Sequence, residues 1–557
     1  FIRHCPVWLM PNYTSIRVTK VVHQQLQGYA ESCYDGLSLT AALGQLLADL
    51  GDGHVRFPEY GLFQCPAHRR ERLRAVIGTQ PPAGAGDMAG VVAGAGALPA
   101  DPYMRVEKDT MGEMEVPADA LWGASTQRAV LNFPVSGLRM GRSFIRALGC
   151  IKVAAARANQ QLELLDSGIA EAVEQAALAV AEGEHDAHFP VDVFQTGSGT
   201  SSNMNANEVI ARLASESLGS RVHPNDHVNL GQSSNDVVPT ALHLSALLEL
   251  HGQLLPALLA LQTALEAKAV EFHAVIKTGR THLMDATPIR LGQEFEGYAG
   301  LVERALDRLL VAQDELAPLA LGGTAVGTGV NTHPEFAGLA CEELSLLAGI
   351  DVHETDNHFL AQSSLDGVLA MGGALRCLAV ALQKIANDIR WPGPGPRCGL
   401  AEIRLPSVQP GSSIMPGKVN PVIPEAVIQA SAQAIACDTA LLQAAQGGYL
   451  ELNTMLPLAA HNLLQAIQLL GAASTIFGEK CIAGPEATSR GPALLQSGLM
   501  LATALAPVVG YEQATKIAKA AHASGRTVLE EALEITDLPE QELRELLDPA
   551  GMVAPAS

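Results

Sequence analysis

The sequence has few aromatic residues and a shortage of positive charge. Aromatic residues make up 4% of its 557 residues, and 36 lysines and arginines stand against 58 aspartates and glutamates, for a formal net charge of −22. Because nucleic acids are bound through a basic surface, this balance argues against a nucleic-acid partner. It also means that an anionic substrate needs a site where cations and backbone N–H groups are concentrated.

Closely spaced cysteines are missing as well. The nine cysteines lie far apart, and none forms a Cys-x-x-Cys pair, which argues against zinc ribbons and against local iron–sulfur ligands. The cysteine content is also too low for a small secreted disulfide scaffold. We therefore expect a reducing compartment, which is the cytoplasm, or the mitochondrial matrix if the source is eukaryotic.

Long apolar runs are the third absence. Crossing a bilayer as a helix takes about 18 or more apolar residues. No segment offers a convincing run of that length, so no membrane partner is expected. The nearest candidate, residues 492–510, is interrupted by Gln496, Ser497, Thr503 and Pro507. We predict that this segment is a buried core helix.

Alanine and leucine supply most of the apolar content, because hydrophobic residues make up 48% of the chain and aromatics are scarce. Both are strong helix formers, which predicts an all-α protein with a large core. One long helix is predicted from Pro239, placed in its first turn, through Pro256, which should kink it. Leucine covers more than one of its faces, so we expect a bundle shared between subunits. Similar patterns predict helices at 292–316, 365–391, 422–446 and 455–477.

The first hundred residues differ from the rest. Residues 1–103 contain three of the nine cysteines and a basic run at 68–74, and they end in a Gly/Ala/Pro-rich stretch at 81–102. This composition is typical of a linker and predicts a boundary near residue 103. The region is interpreted as an extension of unknown role, either poorly ordered or upstream of a start near Met88. The alternative is a small independent domain.

Four polar segments stand out between the apolar stretches. Each alone is typical of a turn. Together they carry many hydroxyl and amide groups and few carboxylates, which suits a small anion with several carboxylate oxygens. Neutral donors and Lys418 can bind a dianion without burying a cluster of charges. The segments are residues 196–208, 223–236, 279–288 and 411–421.

Histidines in these segments have two interpretations. His282 has an unperturbed pKa near neutrality, which suits proton transfer, and the alternative is a structural histidine held by hydrogen bonds. His223 and His227 have the spacing of metal ligands on a helix. However, Pro224 argues against a regular helix there, and no third ligand is evident nearby. We therefore predict no metal.

In this order, the four segments resemble the active-site segments of the fumarase/aspartase superfamily. GSSIMPGKVNP at 411–421 resembles its signature loop, and GSGTSSNMNANE, HPNDHVNLGQSSND and GRTHLMDATP resemble the other three. The resemblance runs from about Arg105 to about residue 554, some four-fifths of the chain. Ser198 and Gly417 follow the pattern of the metal-independent (class II) fumarate hydratases, whereas aspartases usually carry alanine at both positions.

This resemblance implies a three-domain helical fold with a long central bundle, built from four identical subunits. Mapped onto this chain, the domains are an N-terminal lyase domain at 104–232, a central helical-bundle domain at 233–484 and a small C-terminal domain at 485–557. Each active site would take segments from three chains, and no cofactor would be needed. The implied reaction is the reversible addition of water to fumarate, giving L-malate. An aspartate ammonia-lyase and a non-catalytic scaffold homologue are the alternatives.

The resemblance also implies roles for individual residues. Ser412 would remove the carbon-bound proton, His282 would activate water or protonate the leaving hydroxide, and Glu425 would orient His282. Because a free serine is too weak a base, Ser412 would need backbone N–H donors and Lys418 to stabilise its oxyanion. The implied substrate-binding residues are Ser198, Gly199, Thr200, Ser233, Ser234, Asn235, Thr281, Ser413, Lys418 and Asn420.

A second, non-catalytic dicarboxylate site is implied at His223, Pro224, Asn225 and Asp226. The chain departs from the family pattern just before it. The connection at 214–222 is shorter than usual, and Arg221 is displaced from the position where the family usually has an arginine. This difference leaves open whether the second site binds a dicarboxylate.

Overall fold

The computed structural model describes residues 103–555 of the chain, and the predicted extension at 1–103 lies outside them except for its last residue. The described part is mostly helical. Its α-helices, α1 to α17 in chain order, are Ala124–Asn132, Arg142–Gln161, Ser167–Glu182, Thr200–Leu218, Ser234–Glu249, Leu255–Glu271, Leu291–Asp314, Phe336–Ala348, His358–Ser363, Asp366–Arg390, Val422–Ala445, Leu456–Phe477, Arg490–Gln496, Ala506–Val509, Tyr511–Ser524, Val528–Ile535 and Glu540–Leu546.

Short strands pair into two-stranded sheets between the helices. Within the described residues, β1 pairs with β2, β3 with β4 and β8 with β9 as antiparallel hairpins. The pair β7 and β10 is also antiparallel, and β5 and β6 are parallel. The strands β1 to β10 are Met104–Asp109, Gly112–Pro117, Ile276–Thr281, Met284–Arg290, Pro318–Leu319, His353–Glu354, Ile403–Arg404, Gly448–Tyr449, Leu452–Asn453 and Glu486–Ala487.

The long helices pack side by side into a bundle. Helix α11 contacts α10 and α12, and α7 contacts α6 and α10. The four helices predicted at 292–316, 365–391, 422–446 and 455–477 are confirmed as α7, α10, α11 and α12, with ends within two residues. The leucine-rich segment 234–271 is one helical run, interrupted by a π-helical turn at Leu250–Leu254 just before Pro256. Such turns are a common cause of helix bending, in addition to proline itself.

The prediction for Pro239 was wrong. Helix α5 begins at Ser234, so Pro239 is its sixth residue and lies inside the helix. The early start follows from Ser233, which caps the helix and forms a capping box with Asp236. Because proline has no N–H, it cannot donate the helical hydrogen bond to the carbonyl of Asn235, four residues earlier.

The segment 492–510 is also not one core helix, as the sequence predicted. It divides into the end of α13, a 3₁₀-helix at Leu499–Leu505 and the short α14, with a 61° bend at the break between α13 and Leu499. The break follows Ser497 and Gly498, of which the glycine has an extended backbone. Glycine is a weak helix former, which agrees with a helix that ends two residues before Gly498.

Two separate hydrophobic clusters form the interior of the described residues. One contains buried side chains from Met140 to Ile482, and the other contains those from Leu495 to Leu547. The predicted boundary at 484/485 falls between the clusters, whereas the predicted boundary at 232/233 crosses the first cluster without a break. Both domain boundaries stay predictions.

Two helical segments of residues 103–555 have the length and composition to cross a membrane. They are Ser234–Glu271 and Asp366–Arg390, and the bent pair Arg490–Gln496 and Leu499–Val509 would make a third. In the most apolar 18-residue stretch of Ser234–Glu271, 56% of the residues are buried inside the single chain, and in that of Asp366–Arg390 the share is 50%. This burial on several sides agrees with their place in the bundle.

Candidate active site

Hydroxyl groups from two of the predicted segments meet at two helix N-termini. The Oγ of Ser198 lies 3.0 Å from Oγ1 of Thr200, and that atom lies 2.5 Å from Oγ of Ser234. Thr200 begins α4, Ser234 begins α5, and Asn235 is the next residue of α5. We call Ser198, Thr200, Ser234 and Asn235 the hydroxyl wall. A helix N-terminus favours a bound anion because its first N–H groups have no helical partner.

Glycine is required where the hydroxyl wall meets its neighbours. Gly199 has a φ of +72°, and a Cβ on it would lie 2.7 Å from Cγ1 of Val238. A Cβ on Gly197 would lie 1.7 Å from the carbonyl oxygen of Thr454. The glycines therefore let the chain before α4 pack directly against α5 and the segment leading to α12.

Ser233 positions the start of α5. Its Oγ accepts the backbone N–H of Asn235 at 3.2 Å, and the carboxylate of Asp236 accepts the backbone N–H of Ser233 at 2.9 Å. This reciprocal arrangement is a capping box. The Ser233 hydroxyl therefore caps α5, and its assignment to substrate binding stays a prediction.

Two fully buried charged residues lie behind the hydroxyl wall. Asp236 and Lys152 are both 0% exposed. Burial raises the pKa of the Asp236 carboxyl, although three backbone hydrogen bonds and Lys152 act in the opposite direction. Burial lowers the pKa of Lys152 from 10.5 to about 7, although Asp236 acts to raise it. Sequence reasoning missed both residues. The capping-box spacing Ser-x-x-Asp at 233–236 and a lysine in the apolar stretch of α2 were the available signals.

His282 lies at the tip of the hairpin formed by β3 and β4. His282 and Leu283 are its two turn residues, with φ values of 56° and 60°. Two consecutive positive φ values are the mark of a type I′ turn, which glycine or asparagine usually occupies. Positive φ is uncommon for residues other than glycine, and Leu283 in particular carries backbone strain of the kind found at functional sites. The sequence identified His282 but not the hairpin.

Buried charges anchor the base of this hairpin. Arg280 donates two hydrogen bonds to the carboxylate of Glu402, at 3.0 and 2.8 Å, and Lys277 lies 3.3 Å from the same carboxylate. The side chains of Glu402 and Lys277 are 1% and 3% exposed. The strand that leads to Thr281 and His282 is therefore fixed, while the side chains at the tip are exposed.

The signature loop holds Ser412 as an acceptor of backbone N–H groups. Its Oγ accepts from the N–H of Met415 at 2.9 Å and of Ile414 at 3.2 Å. Lys418 donates to Oδ1 of Asn420 at 2.6 Å, and Asn420 donates to the carbonyl of Gly411 at 2.7 Å. The two backbone donors to Ser412 are the kind of contact that the sequence led us to expect.

Glycine occupies two positions of this loop for different structural reasons. A Cβ on Gly411 would lie 2.6 Å from the carbonyl oxygen of Lys418, so only glycine permits the close approach of the two ends of the loop. Gly417 has a φ of +78° and open space around it. Ser413 and Lys418 are exposed in the single chain, and Ile414 is 83% exposed.

Glu425 lies in the first turn of α11, immediately after the signature loop. Among residues 103–555, no hydrogen bond or ion pair joins its carboxylate to His282. Within the described part of the single chain, the hydroxyl wall, the hairpin tip and the signature loop are likewise not connected to one another by hydrogen bonds. Within the described residues, hydrogen bonds thus hold each of the three groups locally.

The implied second site lies on a π-helical turn at Pro224–Val228. Nδ1 of His223 accepts the N–H groups of Asn225 and Asp226 at 3.2 and 3.1 Å, and Nδ1 of His227 accepts the N–H of His223 at 3.0 Å. Both imidazoles therefore use Nδ1 to hold the turn. In the part of the chain that the structure describes, no group of three or more His, Cys, Asp or Glu residues is arranged to hold a metal ion.

Comparisons with known proteins agree with this set of segments. Residues 112–436 match a family model described as lyase, and residues 501–554 match one described as fumarase C C-terminus. The chain is 52% identical over 458 residues to the fumarate hydratase class II 2 of Pseudomonas aeruginosa, covering 81% of this chain and 98% of that protein. It is 54% identical over 454 residues to the fumarate hydratase class II of Halobacterium salinarum, covering 80% and 97%.

A solved structure has the same fold. The crystal structure of recombinant class II fumarase from Schistosoma mansoni matches with a TM-score of 0.79 and 37% identity, covering 82% of this chain and 100% of that one. Fold and segments together define a lyase of the fumarase/aspartase superfamily. Within this superfamily, the chain belongs to the class II fumarate hydratase family. This confirms the resemblance, the mostly helical fold and the enzyme class that the sequence predicted.

Proposed function

We propose that this chain catalyses the reversible hydration of fumarate to L-malate, by anti addition and elimination of water through a carboxylate-stabilised carbanion. The substrate is a small dicarboxylate. The observation that carries the proposal is the signature loop of a class II fumarate hydratase, in which the Ser412 hydroxyl accepts two backbone N–H groups a few residues from Lys418. The aspartate ammonia-lyase alternative lacks a comparable observation.

The chemical difficulty is the intermediate. Removing a proton beside a carboxylate puts a second negative charge on that group. The site must therefore stabilise charge that develops only in the transition state. Lys418 and Asn420 supply a cation and an amide in one short stretch, joined to each other by a hydrogen bond. They would hold the carboxylate on which the charge accumulates.

Ser412 is the proposed base. An alkoxide is far too unstable at neutral pH unless hydrogen bonds and a nearby positive charge favour it. The N–H groups of Ile414 and Met415 already donate hydrogen bonds to its Oγ. These hydrogen bonds would strengthen as the oxygen becomes negative. Ser413 would bind substrate beside it.

His282 would act on the other side of the substrate, where it activates water or protonates the leaving hydroxide, and Glu425 would orient it. Thr281 and the hydroxyl wall would bind the substrate carboxylates. Since no hydrogen bond joins these groups within the described part of one chain, we propose that a homotetramer assembles each site from three subunits. Exposed side chains at the hairpin tip and in the signature loop, such as Leu283 and Ile414, suit burial between subunits.

The second dicarboxylate site at His223, Pro224, Asn225 and Asp226 stays a proposal of lesser weight. The π-helical turn is well formed, and Asn225 and Asp226 are exposed. The displaced Arg221 removes a cation that the family usually provides near this turn. A cytoplasmic location, or the mitochondrial matrix in a eukaryote, likewise stays a prediction.

A spectrophotometric assay tests the proposal. The purified chain is given fumarate, L-malate, or L-aspartate, and the fumarate absorbance is followed, with a parallel incubation of fumarate and ammonia. We expect fumarate to be consumed in water alone and produced from malate, with no production from aspartate. Production from aspartate would establish the ammonia-lyase, and an inert but folded protein would establish the scaffold homologue.

A further inference from the structure

Asp236 does more than complete a helix cap. Its second oxygen, Oδ2, accepts the backbone N–H groups of Gly322 at 3.0 Å and Thr324 at 2.9 Å. For its part in the capping box, the Asp236 carboxylate needs only the bond from the N–H of Ser233. The two additional bonds hold the N-terminus of α5 against a segment that lies 86 residues further along the chain.

The segment 322–325 is shaped to receive this carboxylate. Gly322 and Thr324 have φ values of 101° and 52°, and Thr324 is a β-branched residue in a region that such residues rarely adopt. Alternating backbone conformations of this kind turn successive N–H groups toward one anion. One residue later, the carbonyl of Ala325 accepts a hydrogen bond of 2.8 Å from the side-chain amide of Asn235. Asp236 therefore sets the position of the carbonyl that orients Asn235.

Lys152 supports the same wall from the other side. Its ammonium group donates to Oδ1 of Asn229 and to Oε1 of Gln232, both at 2.9 Å. The Oδ1 of Asn229 also accepts from the side-chain amides of Asn203 and Asn207, each at 3.2 Å. Those two residues belong to α4, the helix that carries the other half of the hydroxyl wall. This buried network thus reaches α4 and the loop just before α5, and the charge of Lys152 acts on Asp236.

We propose that Asp236, supported by Lys152, is a positioning residue for substrate binding. It fixes the start of α5, with Ser234 and Asn235, against the segment 322–325 and so holds this half of the hydroxyl wall in place for a substrate carboxylate. It therefore sets the affinity for the substrate and not the rate of proton transfer. This inference rests on the proposed function, because it assumes that the hydroxyl wall binds the carboxylates of fumarate.

The separation of affinity from rate follows from the geometry. Asp236 contacts neither the signature loop nor the β3–β4 hairpin, which carry Ser412 and His282. Losing an interaction that binds ground state and transition state equally raises KM and leaves kcat unchanged. Loss of one hydrogen bond to a charged substrate group costs about tenfold to a hundredfold in affinity.

Asp236→Asn is the direct test. Asparagine accepts hydrogen bonds through only one oxygen, so it can keep the cap to Ser233 or the bridge to Gly322 and Thr324, but not both. We expect KM for fumarate and for malate to rise by about tenfold to a hundredfold, with kcat within about threefold of the wild type.

Glu208→Gln is the matched control. Glu208 also accepts three backbone N–H groups, from Gly123, Ser125 and Thr126 at 2.9 to 3.1 Å, but these lie at the start of α1 and not at the wall. Its loss should lower thermal stability without changing KM. An unchanged KM in Asp236→Asn, an equal rise in both variants, or a loss confined to kcat would overturn the proposal.

Two further measurements keep the test decisive. If Asp236→Asn does not fold, the variant Lys152→Met/Asp236→Asn removes both buried charges together, which avoids an unpaired charge, and it still breaks the bridge. Calorimetric binding of succinate needs no turnover and should weaken by the same factor as KM rises. A wild type that binds succinate but does not hydrate fumarate would refute the proposed function alone, and the succinate data would still decide on Asp236.

Discussion

The hydroxyl wall and the signature loop carry similar side chains, but the chain holds them in opposite ways. The wall stands on two helix N-termini and is backed by the buried residues Asp236 and Lys152. The loop is mostly exposed in the single chain. Among residues 103–555, the side chains of Ser412 and Asn420 form hydrogen bonds only with other residues of the loop.

This difference indicates a division of labour. A rigid surface loses little entropy when it binds a dicarboxylate, which favours affinity. A loop interrupted by proline and glycine can adjust when substrate arrives and can exclude water as it closes. The comparison therefore predicts that substitutions in the loop change the rate, whereas substitutions behind the wall change affinity and stability.

The largest effect is expected for Ser412→Ala. Removing the hydroxyl takes away the proposed base. It also takes away the acceptor of the two N–H groups that would stabilise the alkoxide. We expect kcat to fall by about a thousandfold or more, with an unchanged fold by circular dichroism. The rate is measured from the fumarate absorbance in both directions.

Ser407→Ala, a serine that lies before the loop, is the control for this variant and should turn over normally. Malate dehydration by Ser412→Ala at close to the wild-type rate would remove this serine from the mechanism.

The next largest effect is expected for His282→Asn. Asparagine tolerates positive φ better than other non-glycine residues, so it should keep the type I′ turn at 56°. We expect kcat to fall by about a hundredfold, because proton transfer to or from water is lost. Binding of succinate, measured by calorimetry, should persist.

His273→Asn, on the short segment before β3, serves as the control and should leave kcat unchanged. If His282→Asn retained full turnover, the hairpin tip would have only a structural role.

The helices could be predicted from sequence because their signal is local. The spacing of apolar residues predicted the ends of α10 and α11 to within two residues. This is because apolar residues at helical spacing form the face that each helix buries. The hairpin around His282 was missed, although strands separated by two residues are a recognisable pattern. Its turn residues, His and Leu, are not the glycine and asparagine by which such turns are usually found.

The site residues stay predictions, and only contacts within one segment could be expected from the sequence. Ser412 and its N–H donors lie within three residues of one another. These hydrogen bonds could therefore be expected from the loop sequence alone. The bridge from Asp236 to Gly322 and Thr324 joins segments that only the fold brings together. Distance in sequence therefore separates what could be predicted from what could not.

A smaller effect is expected in the pH dependence of stability. Lys152 has a pKa of about 7 in the folded chain and 10.5 as its ordinary value. Between about pH 7 and pH 9 the unfolded chain therefore binds more protons at this position, and the free energy of unfolding rises with pH. We expect a gain of about 2–3 kcal/mol over these two pH units.

Urea unfolding of the wild type and of Lys152→Met/Asp236→Asn at about pH 7, 8 and 9 checks this rise, because the double variant should lack it. If the free energy of unfolding changed equally with pH in the two proteins, Lys152 would still be protonated in the folded chain at about pH 9, and its pKa would not be lowered.

The smallest effect is expected for Gly417→Ala. Gly417 has a φ of +78° and no atom near its missing Cβ, so the substitution costs only backbone strain, about 1 kcal/mol. Gly525→Ala is closely matched, with a φ of +74° and equally open space, but it ends α15 in the C-terminal cluster. In the loop, the strain should appear as an about fivefold loss of kcat/KM with little change in Tm. In α15, the same strain should lower Tm and leave kcat/KM unchanged. Equal behaviour of the two variants would mean that the signature loop is as much a part of the cooperative fold as a helix end, and the contrast with the hydroxyl wall would disappear.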